Sequence, residues 1–197
     1  IAEIATEEVA NPDYAANPVT RCYFCKDEMF ARIDDEAAGH LRLAAVAYGE
    51  NADDARRPDR PGAHAATEHG VLRPLAEAGL TKRDVRAVAR GLGLSVADKP
   101  AAPCLASRIP HGEPVTAAKL RQIEDAEDAL IALGFPEVRV RHHGDAARIE
   151  VPSAELPRLM EVREEALAGV RAAGFRSVSV DLAGLQSGAF TLQILGV

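Results

Sequence analysis

Apolar residues change their spacing several times along the chain, and each change marks an element. The stretch "NPDYAANP" (11–18) has two Asn-Pro pairs and predicts a loop. From Cys22 to His40, Phe24, Met29 and Ile33 recur at helical spacing. "LRLAAVAY" (41–48) is a short apolar run ending at Gly49, the pattern of a buried parallel strand. Residues 49–62 are rich in Asp, Arg and Pro, which predicts a surface loop. A helix is expected from Thr81 to Arg90, with Thr81 as N-cap and Asp84 completing a near capping box. "LSVADKP" (94–100) reads as a strand running into a Pro-punctuated loop. This alternation predicts an α/β domain with a parallel sheet over residues 1–110.

After Pro110 the texture changes. Residues 116–134 form an amphipathic helix begun by Thr116 and closed by Gly134. "EVRVRHH" (137–143) and "ARIEVP" (147–152) alternate strictly around Gly144 and Asp145, which predicts a hairpin. A second helix over 153–174, capped by Ser153 and stopped by Gly174, leads into a third strand, "SVSVDLAG" (177–184). The order α-β-β-α-β predicts a compact α+β domain over 111–197, with its boundary near 108–115 and its helices on one face of a small sheet. Open sheet edges need covering, and self-association into a homo-oligomer is one way to cover them.

Composition narrows the function classes. The 197 residues are 47% hydrophobic and 27% charged, as in ordinary globular proteins. No apolar run reaches the roughly 18 residues of a membrane span, and no secretory segment is visible. A net charge of −7 argues against nucleic-acid binding. Three cysteines make a poor disulfide framework, so the cytoplasm is the expected compartment. The chain opens on Ile1 in the middle of a pattern, which predicts that an N-terminal part is missing.

The cysteines carry the first candidate chemistry. Cys22 and Cys25 in "RCYFCK" stand i and i+3, so at a helix start both sulfurs can point to one side. Such a pair fits zinc, an iron–sulfur cluster, thiol–disulfide exchange or plain core packing. Exchange wants a strand just before the motif, and zinc wants a fourth ligand; neither is evident. Together with Cys104 the pair makes three thiolates, which suit a 4Fe–4S cluster with one iron left open. On "VRVRHH", Arg139, Arg141 and His143 point to one face of the strand. Two arginines about 6–7 Å apart suit a phosphate or, failing that, form a solvated charged face.

"RCYFCK", "GENADD", "DRPG", "KPAAPCLASRIPHGE", "VRVRHHGDAARIEV" and "GFRSVSVDLAGLQSG", in that order, resemble the LarE family. The resemblance runs over nearly the whole chain, and "PCLASR" is its most diagnostic block. It implies a PP-loop ATP pyrophosphatase fold and an ATP-dependent sulfur transferase. The implied substrate is a pyridinium biscarboxylic acid mononucleotide, whose carboxylates become thiocarboxylates in making the nickel-pincer nucleotide cofactor. ATP with Mg²⁺ would adenylylate a carboxylate, and a sulfur nucleophile would displace AMP.

The resemblance implies roles residue by residue. Cys104 handles the sulfur, and with Cys22 and Cys25 it would hold the 4Fe–4S cluster whose open iron carries a transferable sulfide. Arg108 and Ser107 would steady the activated carboxylate or the phosphate. Arg139 and Arg141 would bind the substrate phosphate. Asp181, an acid in an otherwise apolar strand, would orient one of these arginines or is an ordinary strand-end aspartate. Asn51 and Asp53 would lie at the nucleotide. The Ser-Gly-Gly-x-Asp-Ser loop that cradles pyrophosphate in the family is not in these residues, nor is its strand; together they would add about eighty residues. "AYGEN" stands where the family more often has Asp-Gly-Thr/Ser-Asn, and Gln186 stands where arginine is usual. A tRNA-thiolating enzyme of the same superfamily and a non-catalytic fragment are the rival readings.

Overall fold

The structure is a computed structural model that describes residues 3–36, 43–56, 60–100 and 102–186. The chain divides into two compact units, one of 1–14 with 18–101 and one of 15–17 with 102–197.

Helix α1 (Pro12–Ala15) has all but its last residue in the first unit, where α2 (Arg21–Glu36) and three short helices follow: α3 (Ala52–Ala55), α4 (Pro61–Glu68) and α5 (Pro74–Glu77). The last is α6 (Lys82–Gly91). Helix α2 packs on α4 around Phe30, Ala65, Ala66 and Val71. Gly62 makes the approach possible, since a Cβ there would stand 2.8 Å from Lys26 Cδ and 3.1 Å from the Cys22 carbonyl oxygen. The predicted helix from Cys22 is thus present, with residues 37–40 of that expectation outside the described residues.

Helix α6 has the full capping box, Thr81 accepting from Asp84 N and Asp84 from Thr81 N. It nevertheless buries no residue, and Val88, Leu92, Leu94 and Val96 are exposed. The capping box holds its first turn, and Val85 and Ala89 are its half-buried apolar residues.

The two strands expected here are not found as strands. Residues 41 and 42 lie outside the described residues, and the rest of that run makes one isolated parallel bridge, Ala47 to Leu72. Residues 94–100 close successive turns instead, Ala97 N donating to Leu94 O and Lys99 N to Val96 O. A short apolar run becomes a strand only where another strand accepts its hydrogen bonds, and no named strand runs beside this one among the described residues.

His69 closes α4 onto α2, with Nε2 2.9 Å from Asp27 Oδ1 and Nδ1 3.1 Å from Asp34 Oδ2. The hydrogen bond to Asp27, reinforced by Asp34, raises the pKa of His69 above 6.5. A raised folded pKa stabilises the native state fully below the unfolded value and loses that effect as pH rises through the folded value. The thermal midpoint lost in His69→Gln is therefore expected to shrink as pH is raised from about 5 to about 8. A loss that grows over that range would contradict the imidazolium clamp.

The second unit contains α7 (Ala117–Ala132), α8 (Leu156–Glu161) and α9 (Arg163–Ala172) with β1 (Arg139–His143), β2 (Ala146–Glu150) and β3 (Ser177–Val180). The sheet order is β1-β2-β3, antiparallel within the hairpin and parallel between β2 and β3. The fold is mixed α/β with this small three-stranded sheet. Thr116 caps α7 through Lys119 N, and Gly134 takes the positive φ of 93° that ends it.

Helices α7 and α9 pack together and on the sheet over Leu130, Phe135, Val140, Ile149, Val170 and Phe175. The helix expected over 153–174 is divided at Val162, and Ser153 does not cap it; its hydroxyl donates to Ala183 O instead. Pro157, at the start of α8, supplies a fixed φ there in place of a side-chain cap. The strap 15–17 belongs to this unit: buried Asn17, in the left-handed region at φ 56°, donates from Nδ2 to Pro110 O and Glu113 O at 2.7 and 2.9 Å.

Candidate active site

Cys22 and Cys25 lie in the first turns of α2, Cys22 exposed and Cys25 half-buried. One turn beyond Cys22, the Lys26 ammonium sits 4.2 Å from the centroid of the Tyr48 ring. Burial, the largest cause, lowers the Lys26 pKa. Tyr48 donates its hydroxyl to the buried carboxylate of Glu50, and burial together with that bond raises the Tyr48 pKa.

Asn51 and Asp53 both cap helices. Asn51 Oδ1 accepts from the amides of Asp53 and Asp54 at 3.0 and 3.1 Å, holding the start of α3. Asp53 Oδ2 accepts the Lys82 amide at 2.9 Å, one of the amides that a helix cannot satisfy internally at its start.

In the second unit, Cys104 precedes a single 3-10 turn, Leu105–Arg108, and its thiol is exposed. Arg108 is buried beneath that turn. Its Nη1 donates to Pro103 O at 2.7 Å, Cys104 O at 3.2 Å and Ser107 Oγ at 3.1 Å. Its other edge grips Glu127 of α7 as a fork, at 2.8 Å through Nε and 2.9 Å through Nη2. Glu127 Oε1 also accepts the Val140 amide of β1 at 2.8 Å.

A second fork joins Arg141 to Glu150, at 2.9 Å through Nε and 2.8 Å through Nη2. Arg141 Nη1 reaches Ser107 O at 2.9 Å, and Arg139 and Arg141 both donate to Gln186 O. A main-chain carbonyl makes this last contact, so glutamine at position 186 leaves it intact. Asp181 Oδ2 lies 3.4 Å from Nε of Arg148, an arginine that the sequence reading did not single out.

The forks thus bring Ser107, Arg108, Arg139 and Arg141 into one connected network, with Asp181 joined to it through Arg148 and Glu150. Burial first, then the charges of Arg141 and Arg108, lowers the Arg139 pKa. The sequence reading did not single out Glu127 or Glu150. The available signal was an acid among buried positions: Glu127 shares the face of Ile123, Ala126 and Leu130 on α7.

No protein-family model matches the chain. An uncharacterized protein of Synechocystis sp. is 43% identical over 187 residues, which are 94% of this chain and 69% of that protein. The pyridinium-3,5-bisthiocarboxylic acid mononucleotide synthase of Lactiplantibacillus plantarum is 39% identical over 166 residues, 84% of this chain. The chain belongs to the LarE family. An uncharacterized protein of Methanocaldococcus jannaschii is 29% identical over 166 residues. The chain spans 59% of the length of the Lactiplantibacillus family member and 64% of the Methanocaldococcus protein.

The family resemblance implies a cluster on three cysteines. Cys22, Cys25 and Cys104 are not joined in disulfides, and cysteine sulfur is the soft donor that iron–sulfur clusters use. Two lie in the first unit and one in the second, and among the described residues no group of three His, Cys, Asp or Glu side chains is gathered to hold a metal ion. Among the described residues no helix is long and apolar enough to cross a membrane.

Proposed function

We propose that this chain is part of an ATP-dependent sulfur transferase that converts carboxylates of a pyridinium-3,5-biscarboxylic acid mononucleotide into thiocarboxylates. The observation that carries the reading is the 39% identity, over 84% of the chain, to a synthase named for the bisthiocarboxylic product. ATP with Mg²⁺ transfers AMP to a substrate carboxylate and releases pyrophosphate. A sulfur nucleophile then attacks the acyl carbon, the C–O bond to AMP breaks, and the thiocarboxylate remains.

The division of labour follows the two domains read from the sequence. Residues 1–110 belong to the PP-loop-type α/β domain, where Asn51 and Asp53 shape the nucleotide side. Residues 111–197 hold the substrate's far end and self-associate into a homo-oligomer. Cys104 is the thiol at the reacting carboxylate. Cys22, Cys25 and Cys104 together would hold a 4Fe–4S cluster, which would supply a transferable sulfide. Anaerobic reconstitution with iron and sulfide analysis tests this: replacing all three cysteines by alanine is expected to abolish iron uptake, and unchanged iron content would rule the cluster out.

Arg139 and Arg141, with Ser107 beside them and Asp181 behind Arg148, form the phosphate side of the site. The support is electrostatic: Arg139 is buried within the field of two further arginines, Arg141 and Arg108. Burial first, and then the charges of Arg141 and Arg108, disfavours the charged form of Arg139, and a bound anion offsets both. Arg139→Ala is expected to raise the Michaelis constant for the mononucleotide about ten- to hundredfold, from a charge-assisted bond worth roughly 1.5–3 kcal/mol. The constant for ATP should stay put. Equal constants for the mononucleotide in variant and parent would remove the phosphate role.

A further inference from the structure

We infer that Glu127 is a positioning residue for sulfur transfer, acting through Arg108 on the backbone that presents Cys104. The inference rests on the reading of Cys104 as the thiol at the reacting carboxylate.

The geometry is a relay of three contacts. The Val140 amide of β1 fixes one oxygen of Glu127, so the carboxylate is anchored to the sheet and not merely to its own helix. The anchored carboxylate takes the Arg108 fork with both oxygens. The opposite edge of that guanidinium then holds the carbonyls of Pro103 and Cys104. The cysteine backbone is thereby tied to the rigid sheet by way of a buried ion pair whose side chains are 6% and 9% exposed.

Cys104 itself makes no side-chain capping bond, and Ser107 N to Cys104 O, at 2.9 Å, is the main-chain bond that closes its turn. Holding the carbonyls on either side of the Cys104 Cα restricts where the thiol can go without covering it. Arg108, buried by these contacts, serves the exposed thiol by orientation and not by reaching the substrate.

Two variants separate orientation from simple support. Glu127→Gln keeps the volume and an acceptor for Val140 N but loses the charge that anchors the fork. Arg108→Lys keeps the charge beside Glu127 but cannot span to both carbonyls, and it tests the same relay should Glu127→Gln not fold. In either variant amide exchange at Ser107 is expected to quicken about tenfold, as local opening becomes easier. The turnover number for thiocarboxylate formation is expected to fall about tenfold or more, with the Michaelis constant for ATP unchanged. Combining the two substitutions is expected to cost no more than the worse single one.

Ser107 exchange and turnover within twofold of the parent in Arg108→Lys would overturn the inference. Loss of thermal stability with unchanged turnover would overturn it too. If the parent protein makes no thiocarboxylate at all, the functional reading falls, while the exchange comparison still decides whether the relay orders the Cys104 turn.

Discussion

Replacing Cys104 by alanine is expected to abolish thiocarboxylate formation, by a factor of about a thousand or more, as loss of a group that holds the transferable sulfur at the reacting carboxylate does. Mass spectrometry of the mononucleotide product checks it. The fold should be untouched, because the thiol is exposed and makes no capping bond. The thermal midpoint of Cys104→Ala is therefore expected to match the parent's. Product formation at the parental rate in this variant would end the assignment of Cys104, whatever the fate of the cluster.

The second large effect falls on stability. Arg141 and Glu150 are paired at 2.8 Å with side-chain exposures of 3% and 1%. Removing either partner leaves a charge stranded where water does not reach, at a cost of about 3–5 kcal/mol. For a unit of this size that corresponds to a fall in thermal midpoint of roughly 15 °C or more. Arg141→Ala and Glu150→Ala should each show it in a denaturant or thermal titration. The double variant should lose clearly less than the sum, because it strands neither charge. Single variants within about 1 kcal/mol of the parent would mean that water solvates the pair.

Glu150 also resolves a conflict built into the hairpin register. Arg141 lies directly opposite Arg148, and like charges so placed repel. Glu150 sits diagonally from Arg141 and takes its fork, while its Oε1 lies 3.5 Å from Arg148. The strand alternation placed Arg139 and Arg141 on one face correctly. It carried no information about the acids that neutralise them, and so their burial was not legible.

Arg108 is a similar case. Its neighbourhood to Cys104 is plain in "PCLASR", yet its partner is nineteen positions away on a helix.

What the sequence by itself determined was local or collective. Thr81 and Thr116 announce their helices because a hydroxyl three residues from an amide can cap it without help from the rest of the chain. Gly134 ends α7 because a positive φ strains other residues. The hairpin follows from strict alternation around a two-residue turn, and the family follows from blocks kept in order along the chain.

Only the tertiary structure decided whether an apolar run became a strand and which acid met which arginine. Residues 94–100 carry strand-like residues but close turns, since a strand's amides are satisfied by a neighbour that the run itself does not specify. Glu127 and Glu150 find their arginines where a helix face, a sheet edge and a loop converge. That convergence is set by packing of the whole unit, and the spacing of residues along the chain does not encode it in any readable form.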